Sequence, residues 1–239
     1  RVYDTGMVTI LEVMGRNAGW LTAAAQLAIE KGQGPDLIYL PELTFDYDEF
    51  FSDVEKILKQ KSKAIIVVSE GIKDKDGLYV PEKFTNLTTD SFGHAQLGGT
   101  AEVLASEIQN RFNVKVRGIE FSLLQRCAAH LASNVDVTEA YQAGVEAVKA
   151  AVNGTTDHMI GFKRISNKPY KMEYILVPLD VAANTEKKVP LEWIKPHGQG
   201  MTNDFVDYAL PLIQGDNKAP LVDGLPRFAN LKKVLVNKK

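Results

Sequence analysis

The sequence predicts an α/β fold: a three-layer sandwich around a mostly parallel sheet, with an irregular, proline-rich C-terminal extension. Short apolar runs alternate with longer segments in which apolar residues recur at helical spacing. The apolar runs are nearly continuous, which is typical of parallel strands covered on both faces. With 239 residues, of which 45% are hydrophobic and 24% charged, the chain is long enough to bury a sizeable core.

The first half of the chain repeats a strand, a turn and a helix. The first strand is expected at 8–13, and the alanine- and leucine-rich helix at 17–31 ends at Gly32. The later elements of this half are strands at 36–40, 64–69 and 114–121, helices at 48–61 and 100–112, and a turn-rich loop at 74–77. Thr100 follows two glycines, a turn that can cradle a phosphate, but we expect its hydroxyl to cap a helix instead.

The pattern changes in the second half. One long helix is expected at 137–152, followed by short strands at 159–162 and 174–178. Further on, prolines separate short pieces of chain, with one helix expected at 202–210. The prolines concerned are Pro178, Pro190, Pro196, Pro211, Pro220 and Pro226. This part therefore continues the alternation of strands and helices only at its start.

The composition argues against several kinds of partner. A net charge of -2 and a pI near 6.1 provide no general basic surface for nucleic acid or an anionic membrane. No stretch approaches the roughly 18 apolar residues of a membrane-spanning helix, and the four histidines lack metal-ligand spacing. Cys127 is the single cysteine, expected to be a small buried thiol. We therefore expect a cytoplasmic protein with no nucleic-acid or membrane partner and no metal ligands.

The first candidate site is the run EVMGRNAGW at 12–20. Ligands of parallel sheets bind beyond the carboxyl ends of the strands, where Met14-Gly15-Arg16 is expected to lie. Gly15 permits close approach of the backbone, the following helix offers unpaired N–H groups, and Arg16 has a forked donor suited to phosphate oxygens. On these three residues alone, an ordinary pair between Arg16 and a surface carboxylate is the commoner outcome.

Two more candidates follow later strands. Glu70 ends the run AIIVVSEG, where its carboxylate can accept hydrogen bonds from two ligand hydroxyls, although a turn before Gly71 explains it equally well. In KVRGIEFSLLQR, Arg117 lies inside a strand pattern and Arg126 follows the strand end. A buried Arg117 needs a partner, either a carboxylate such as Glu120 or a ligand phosphate reached across a subunit boundary.

Together the three segments resemble the phosphofructokinases, and among them the pyrophosphate-dependent 6-phosphofructokinases. EVMGRNAGW resembles the family's Met-Gly-Arg sugar-phosphate motif, and AIIVVSEG resembles the strand whose terminal glutamate binds fructose. VKVRGIEFSLLQRCAAHLAS resembles the segment with two further phosphate-binding arginines, and order and spacing agree across roughly residues 4–165. The resemblance implies a phosphofructokinase-like fold and, in glycolysis, phosphoryl transfer from pyrophosphate to the 1-hydroxyl of fructose 6-phosphate, giving fructose 1,6-bisphosphate.

The resemblance also implies a role for each candidate residue. Met14-Gly15-Arg16 would contact fructose 6-phosphate, with Arg16 also acting as the catalytic group that stabilises the transferred phosphoryl group. Glu70 would hold sugar hydroxyls, and Arg126 would bind the 6-phosphate. Arg117 matches an arginine that reaches into a neighbouring subunit's site, so a homo-oligomer is expected.

Some features depart from the family pattern. Met7 and Leu123 stand where bacterial ATP-dependent relatives have an arginine and a histidine. The run QRCAAH and the proline-rich end favour the pyrophosphate-dependent branch. The family's glycine-rich donor loop and its Thr-Ile-Asp segment, which holds the general base, precede the matching region, and the chain contains no GxxxxGK[ST] or GxGxxG. The chain begins at Arg1, and we expect a fragment that is inactive alone.

On this resemblance we predict three parts: a sugar-phosphate-binding α/β domain over 1–125, a helix and strand over 126–166 that return to a donor-binding domain lying mostly outside the chain, and a C-terminal extension over 167–239. Mg²⁺ is expected to be bound mainly with the phosphoryl donor, outside this chain. Two alternative functions stay open: an ATP-dependent 6-phosphofructokinase and a non-catalytic, sugar-phosphate-binding regulatory subunit.

Overall fold

A computed structural model describes residues 6–84, 99–230 and 232–235 of the chain. Its strands and helices are, in chain order, β1 (Met7–Val13), α1 (Trp20–Ala23), α2 (Gln26–Ile29), β2 (Leu37–Tyr39), α3 (Tyr47–Lys61), β3 (Ala64–Ser69), α4 (Val80–Phe84), α5 (Thr100–Phe112), β4 (Lys115–Glu120), α6 (Asn134–Val152), β5 (His158–Asn167), β6 (Tyr170–Pro178), α7 (Leu179–Ala182), α8 (Asn203–Ala209), β7 (Leu221–Val222) and β8 (Leu225–Pro226). Short 3₁₀ helices cover Ser122–Arg126, Ala129–Leu131, Leu191–Trp193 and Leu210–Ile213.

Four parallel strands form the central sheet in the order β2, β3, β1, β4, which confirms the predicted parallel sheet. The carboxyl ends of β1 and β3 are level, because Val13 lies opposite Ser69. β4 ends beside them, with Glu120 opposite Glu12. The segments that follow these three strands therefore emerge at one edge of the sheet.

Helices cover both faces of this sheet, as the predicted three-layer sandwich requires. α3 and α5 pack on one face through fully buried residues such as Phe50 and Leu104, in a core that includes Leu37 of β2. α1, α2 and α8 form a second core with Ile38 of β2, where Phe205 is among the buried residues. Successive strand residues point to opposite faces, so the two cores lie on opposite sides of the sheet.

The single helix predicted at 17–31 is wrong, because the structure divides it into α1 and α2. The N–H groups of Ala25 and Leu27 donate to carbonyls three residues earlier, so a 3₁₀ turn interrupts the α-helical hydrogen bonds. α1 also begins at Trp20 rather than at Asn17. The residues before Trp20 form a loop whose polar groups bond to other parts of the chain.

The region after β4 is much more exposed than the sheet. α6 begins at a serine cap, with Ser133 Oγ accepting a hydrogen bond from the N–H of Asp136 at 3.0 Å. β5 and β6 form an antiparallel hairpin, and the predicted boundary after residue 166 falls near the end of β5. No residue of α6 is buried by the described part of the chain, and Val152 remains 81% exposed. This unit thus presents a large uncovered apolar surface.

The C-terminal extension packs partly on the sheet. Val189 and Met201, each 1% exposed, join the core formed by α1, α2 and β2. His197 also reaches α3, where its Nδ1 lies 3.1 Å from Glu49 Oε1. Cys127 is exposed, so the expectation of a buried thiol is wrong; it lies in the poorly covered segment after β4. Among the helices in the described ranges, none combines the length and apolar character needed to span a membrane.

Candidate functional site

Met14-Gly15-Arg16 lies where β1 ends, as predicted. Gly15 has a φ of +149°, a conformation that side chains rarely adopt. A Cβ at this position would also lie 2.7 Å from the carbonyl oxygen of Ala18. Glycine is therefore required both by the backbone conformation and by the tight return of the loop, and Arg16 follows it as a partly buried residue.

Glu70 contacts this loop directly. Its Oε1 accepts a hydrogen bond from the N–H of Gly15 at 3.0 Å, and its own N–H donates to the carbonyl of Val13 at 3.0 Å. Within the described ranges, no hydrogen bond involves Glu70 Oε2. The structure thus brings two predicted site residues together through one carboxylate oxygen of Glu70.

Sequence reasoning missed the two residues that flank Glu70, Ser69 and Gly71. Ser69 Oγ donates a hydrogen bond to the carbonyl of Gly15 and accepts one from the N–H of Gly71 at 3.2 Å. A Cβ on Gly71 would lie only 1.8 Å from the carbonyl oxygen of Arg16, so the two backbones are in direct contact. The run Ser-Glu-Gly after a buried strand could have indicated these contacts. A close approach of two backbones needs a glycine, and a small polar residue can bond the backbone groups beside it.

The segment after β4 also reaches the loop. Gln125 Oε1 accepts a hydrogen bond from the N–H of Met14 at 2.8 Å. The neighbouring Arg126 lines a cavity of about 640 Å³ together with Gln125, Trp20 and Tyr208. Arg126 and α1, the helix that follows the Met14-Gly15-Arg16 loop, therefore line the same cavity.

Arg117 is not part of this group. It pairs in register with Thr9, in the middle of β1, and it is exposed. The expectation of a buried arginine that needs a partner is wrong for this chain, because β4 lies at the edge of the sheet. An apolar strand pattern does not distinguish an edge strand from a central one. The reach of Arg117 into a neighbouring subunit stays a prediction.

A buried carboxyl group lies behind the site. Glu12 is 2% exposed, and its Oε2 accepts a hydrogen bond from the N–H of Ala101 at 2.8 Å, at the start of α5. Its Oε1 has no hydrogen-bond partner in the described part of the chain. Burial raises the pKa of Glu12 to about 7, with smaller contributions from the charges of Glu120 and Glu70 and an opposing one from the Ala101 N–H.

Glu12 also replaces the predicted helix cap. The Thr100 hydroxyl is buried without a hydrogen-bond partner among the described residues, so the expectation that it caps α5 is wrong. Gly99 precedes the helix with a φ of +83°. The alternative phosphate cradle depends partly on Gly98, which lies outside the described residues.

Two carboxylates at this edge, Glu12 and Glu70, each hold a backbone group of the chain. Mg²⁺ requires octahedral oxygen ligands, usually one or two carboxylates together with water and phosphate. Glu70 and Glu12 each have one oxygen engaged by a backbone N–H. The group of three possible metal ligands found among the described residues, Glu49, Asp53 and His197, includes no predicted site residue.

Comparisons with known proteins agree with one another. A family model described as Phosphofructokinase matches residues 4–151. Over 233 residues the chain is 41% identical to the pyrophosphate–fructose 6-phosphate 1-phosphotransferase of Halomonas elongata, covering 97% of this chain and 55% of that protein. Its identity to the protein of the same name from Xanthomonas campestris is 42% over 239 residues, covering 97% of this chain and 56% of that protein.

A solved structure shows the same similarity. The pyrophosphate-dependent phosphofructokinase from Nitrosospira multiformis superposes with a TM-score of 0.83 at 35% identity, covering 99% of this chain and 55% of that one. The chain therefore spans about half the length of the curated relatives and the solved structure that it matches.

Proposed function

Because the chain belongs to the phosphofructokinase family, we propose that it supplies the fructose 6-phosphate half of a pyrophosphate-dependent 6-phosphofructokinase. The observation that carries this proposal is the meeting of three loops at one edge of the sheet. Met14 donates to Gln125 and Gly15 donates to Glu70, so segments distant in sequence form one site. The similar proteins are named for pyrophosphate rather than ATP, which supports pyrophosphate as the donor.

Each group has a definite part in the proposed reaction. Oε2 of Glu70 accepts a hydrogen bond from a sugar hydroxyl, while Oε1 holds the loop. Met14 and Gly15 contact the sugar, and Arg126 pairs with the 6-phosphate. Arg16 stabilises the charge that spreads over the oxygens of the transferring phosphoryl group. This chain therefore binds and orients the acceptor, whose 1-hydroxyl receives the phosphoryl group.

The remaining parts of the reaction are assigned to the rest of the protein. We place the donor loop and the general base in the portion of the relatives that this chain does not match. Mg²⁺ neutralises donor charge in phosphoryl transfer. We assign it mainly to the donor, outside this chain, because the group of possible metal ligands among the described residues includes no residue of the proposed site.

The assembly and location are part of the same proposal. We propose a homo-oligomer in which Arg117, exposed on the outer strand of the described sheet, reaches a neighbouring subunit's site. We also propose a cytoplasmic enzyme of glycolysis, since the exposed free thiol of Cys127 suits a reducing compartment.

The test compares the intact protein with this chain alone. We expect the intact protein to form fructose 1,6-bisphosphate with pyrophosphate and not with ATP. The isolated 239-residue chain is expected to bind fructose 6-phosphate in a calorimetric titration without turnover. Turnover with ATP alone would overturn the assigned donor, and turnover by the isolated chain would overturn the half-site. Binding by the intact protein with no turnover from either donor would favour the regulatory subunit.

A further inference from the structure

The loop that follows Arg16 is held by a distant part of the chain. Asn17 Nδ2 donates a hydrogen bond to Glu186 Oε1 at 2.7 Å, and Trp20 Nε1 donates one to the carbonyl of Lys187 at 2.6 Å. We call residues 185–189, which belong to the C-terminal extension, the strap. The loop of the proposed sugar-phosphate site is therefore bonded to the extension on both sides of Gly19.

Glu42 joins the strap to the same loop through a single oxygen atom. It follows β2, and its Oε1 accepts hydrogen bonds from the N–H of Gly19 and the N–H of Val189, both at 2.9 Å. Gly19 is suited to this contact because a Cβ there would lie 2.8 Å from Glu42 Oε2. Movement of the strap thus changes the environment of the loop directly.

The contact at Glu42 is costly for the fold. Oε2 of Glu42 is buried and has no hydrogen-bond partner among the residues that the structure describes. Leaving a buried polar atom unsatisfied lowers the free energy of unfolding. An apolar residue would avoid this cost but would leave the Gly19 and Val189 N–H groups unpaired. The carboxylate therefore serves two backbone donors that an apolar residue could not pair.

The loop is fixed from two directions. Glu70 holds the N–H of Gly15 from the side of β3, and Glu42 holds the N–H of Gly19 from the side of β2. Arg16 lies between these two points. Trp20, which is bonded to the strap, also lines the cavity that contains Arg126. The strap therefore supports both the loop and one wall of the proposed 6-phosphate site.

We propose that Glu42 and the strap position the loop from Arg16 to Trp20 for binding of fructose 6-phosphate. This inference rests on the proposed function and assigns a role to part of the C-terminal extension. Glu42 is a positioning residue, because it acts through the backbone of Gly19 and Val189. Asn17 and Glu186 complete the attachment at the protein surface.

The experiment measures KM for fructose 6-phosphate and kcat in the intact protein. Glu42→Ala is expected to raise this KM by about tenfold or more, because two buried backbone donors lose their acceptor. The kcat at saturating sugar phosphate is expected to change less than KM. Glu42→Gln keeps an oxygen at the same place and should restore KM to near the wild-type value. Lys59→Ala, which removes an exposed ion pair with Glu55 on α3, is the matched control.

A second pair of variants decides the question if Glu42→Ala does not fold. Asn17→Ala and Glu186→Ala should raise KM by similar factors. The double variant should raise KM little further, because both substitutions remove the same hydrogen bond. A lowered unfolding midpoint with unchanged KM in these variants would show that the strap is merely structural and would overturn the inference. Absence of any fructose 6-phosphate binding by the wild-type intact protein would instead overturn the proposed function.

Discussion

The N–H of Gly15 donates a hydrogen bond to Glu70 Oε1 at 3.0 Å, and this bond joins the loops that follow two adjacent strands. The strands are in register up to Val13 and Ser69, so the two loops leave the sheet side by side. One carboxylate oxygen is therefore occupied in shaping the loop, and we propose that the other accepts a hydrogen bond from a sugar hydroxyl. In the proposed function, Glu70 would combine a positioning role with substrate binding.

Glu70→Ala is expected to raise KM for fructose 6-phosphate by roughly a hundredfold, because both a loop contact and a sugar contact are lost. Glu70→Gln keeps one oxygen for the Gly15 N–H and should show a smaller increase. Steady-state kinetics on the intact protein, with calorimetric binding as a second readout, measure the difference. Equal effects of the two substitutions would contradict the separate use of the two carboxylate oxygens.

Arg16→Ala should lower kcat by about a thousandfold or more, which is the usual effect of removing an arginine that stabilises a transferring phosphoryl group. The matched substitution is Arg16→Lys, which keeps the charge but loses the planar fork. We expect it to recover only part of the rate. Single-turnover measurements with pyrophosphate separate the chemical step from product release. Near-normal turnover of Arg16→Ala would rule out the role assigned to this side chain.

Gly71→Ala is expected to displace the backbone of Arg16, since its Cβ would lie 1.8 Å from the Arg16 carbonyl oxygen. We expect a lower thermal midpoint and a large loss of affinity for fructose 6-phosphate. Gly144→Ala is the matched control: it lies on α6, and a Cβ there would meet nothing within 4 Å. Alanine favours a helix by about 0.5–1 kcal/mol over glycine, so this control should be neutral or stabilising. Unaltered affinity in Gly71→Ala would show that the loop tolerates displacement.

The sheet could be predicted where the local signal matched the packing. The strand at 64–69 and the helix at 100–112 have their predicted bounds, because a continuous apolar run and a helical pattern each end abruptly. β5 and β6 extend beyond their predicted ranges, because charged residues such as Lys163 and Glu173 interrupt their apolar runs. A hairpin with much exposed surface does not require continuous apolar residues.

The candidate site was most predictable where its residues immediately follow strands. Met14-Gly15-Arg16 and Glu70 meet that rule, and the structure brings them together. Glu42 and Gln125 act on backbone groups of residues far away in the sequence, so no local pattern reveals their contacts. The exposure of Arg117 depends on strand order, which alternating strands and helices do not specify.

The folding stability of this chain is expected to depend on the ionisation of Glu12. The pKa of Glu12 is about 7 in the folded state, against 4.5 as its ordinary value, mainly because the group is buried. Between these values the folded state binds more protons than the unfolded state. The stabilisation is fully present below pH 4.5 and is lost as the pH rises through about 7. For a shift of this size, the loss is on the order of 3 kcal/mol.

Glu12→Gln removes the titration and keeps an oxygen for the Ala101 N–H, so its free energy of unfolding should not show this decline. Urea unfolding of the 239-residue chain from pH 4.5 to 8 measures the difference between variant and wild type. We expect the difference to move in favour of the variant as the pH rises to about 7 and then to level off, whatever constant offset the amide introduces. Glu120→Gln is the matched control. It removes a neighbouring negative charge that raises the pKa of Glu12, so the loss of stability in this variant should occur at lower pH than in the wild type. Parallel pH curves for wild type and Glu12→Gln would show that the carboxyl group titrates without coupling to folding.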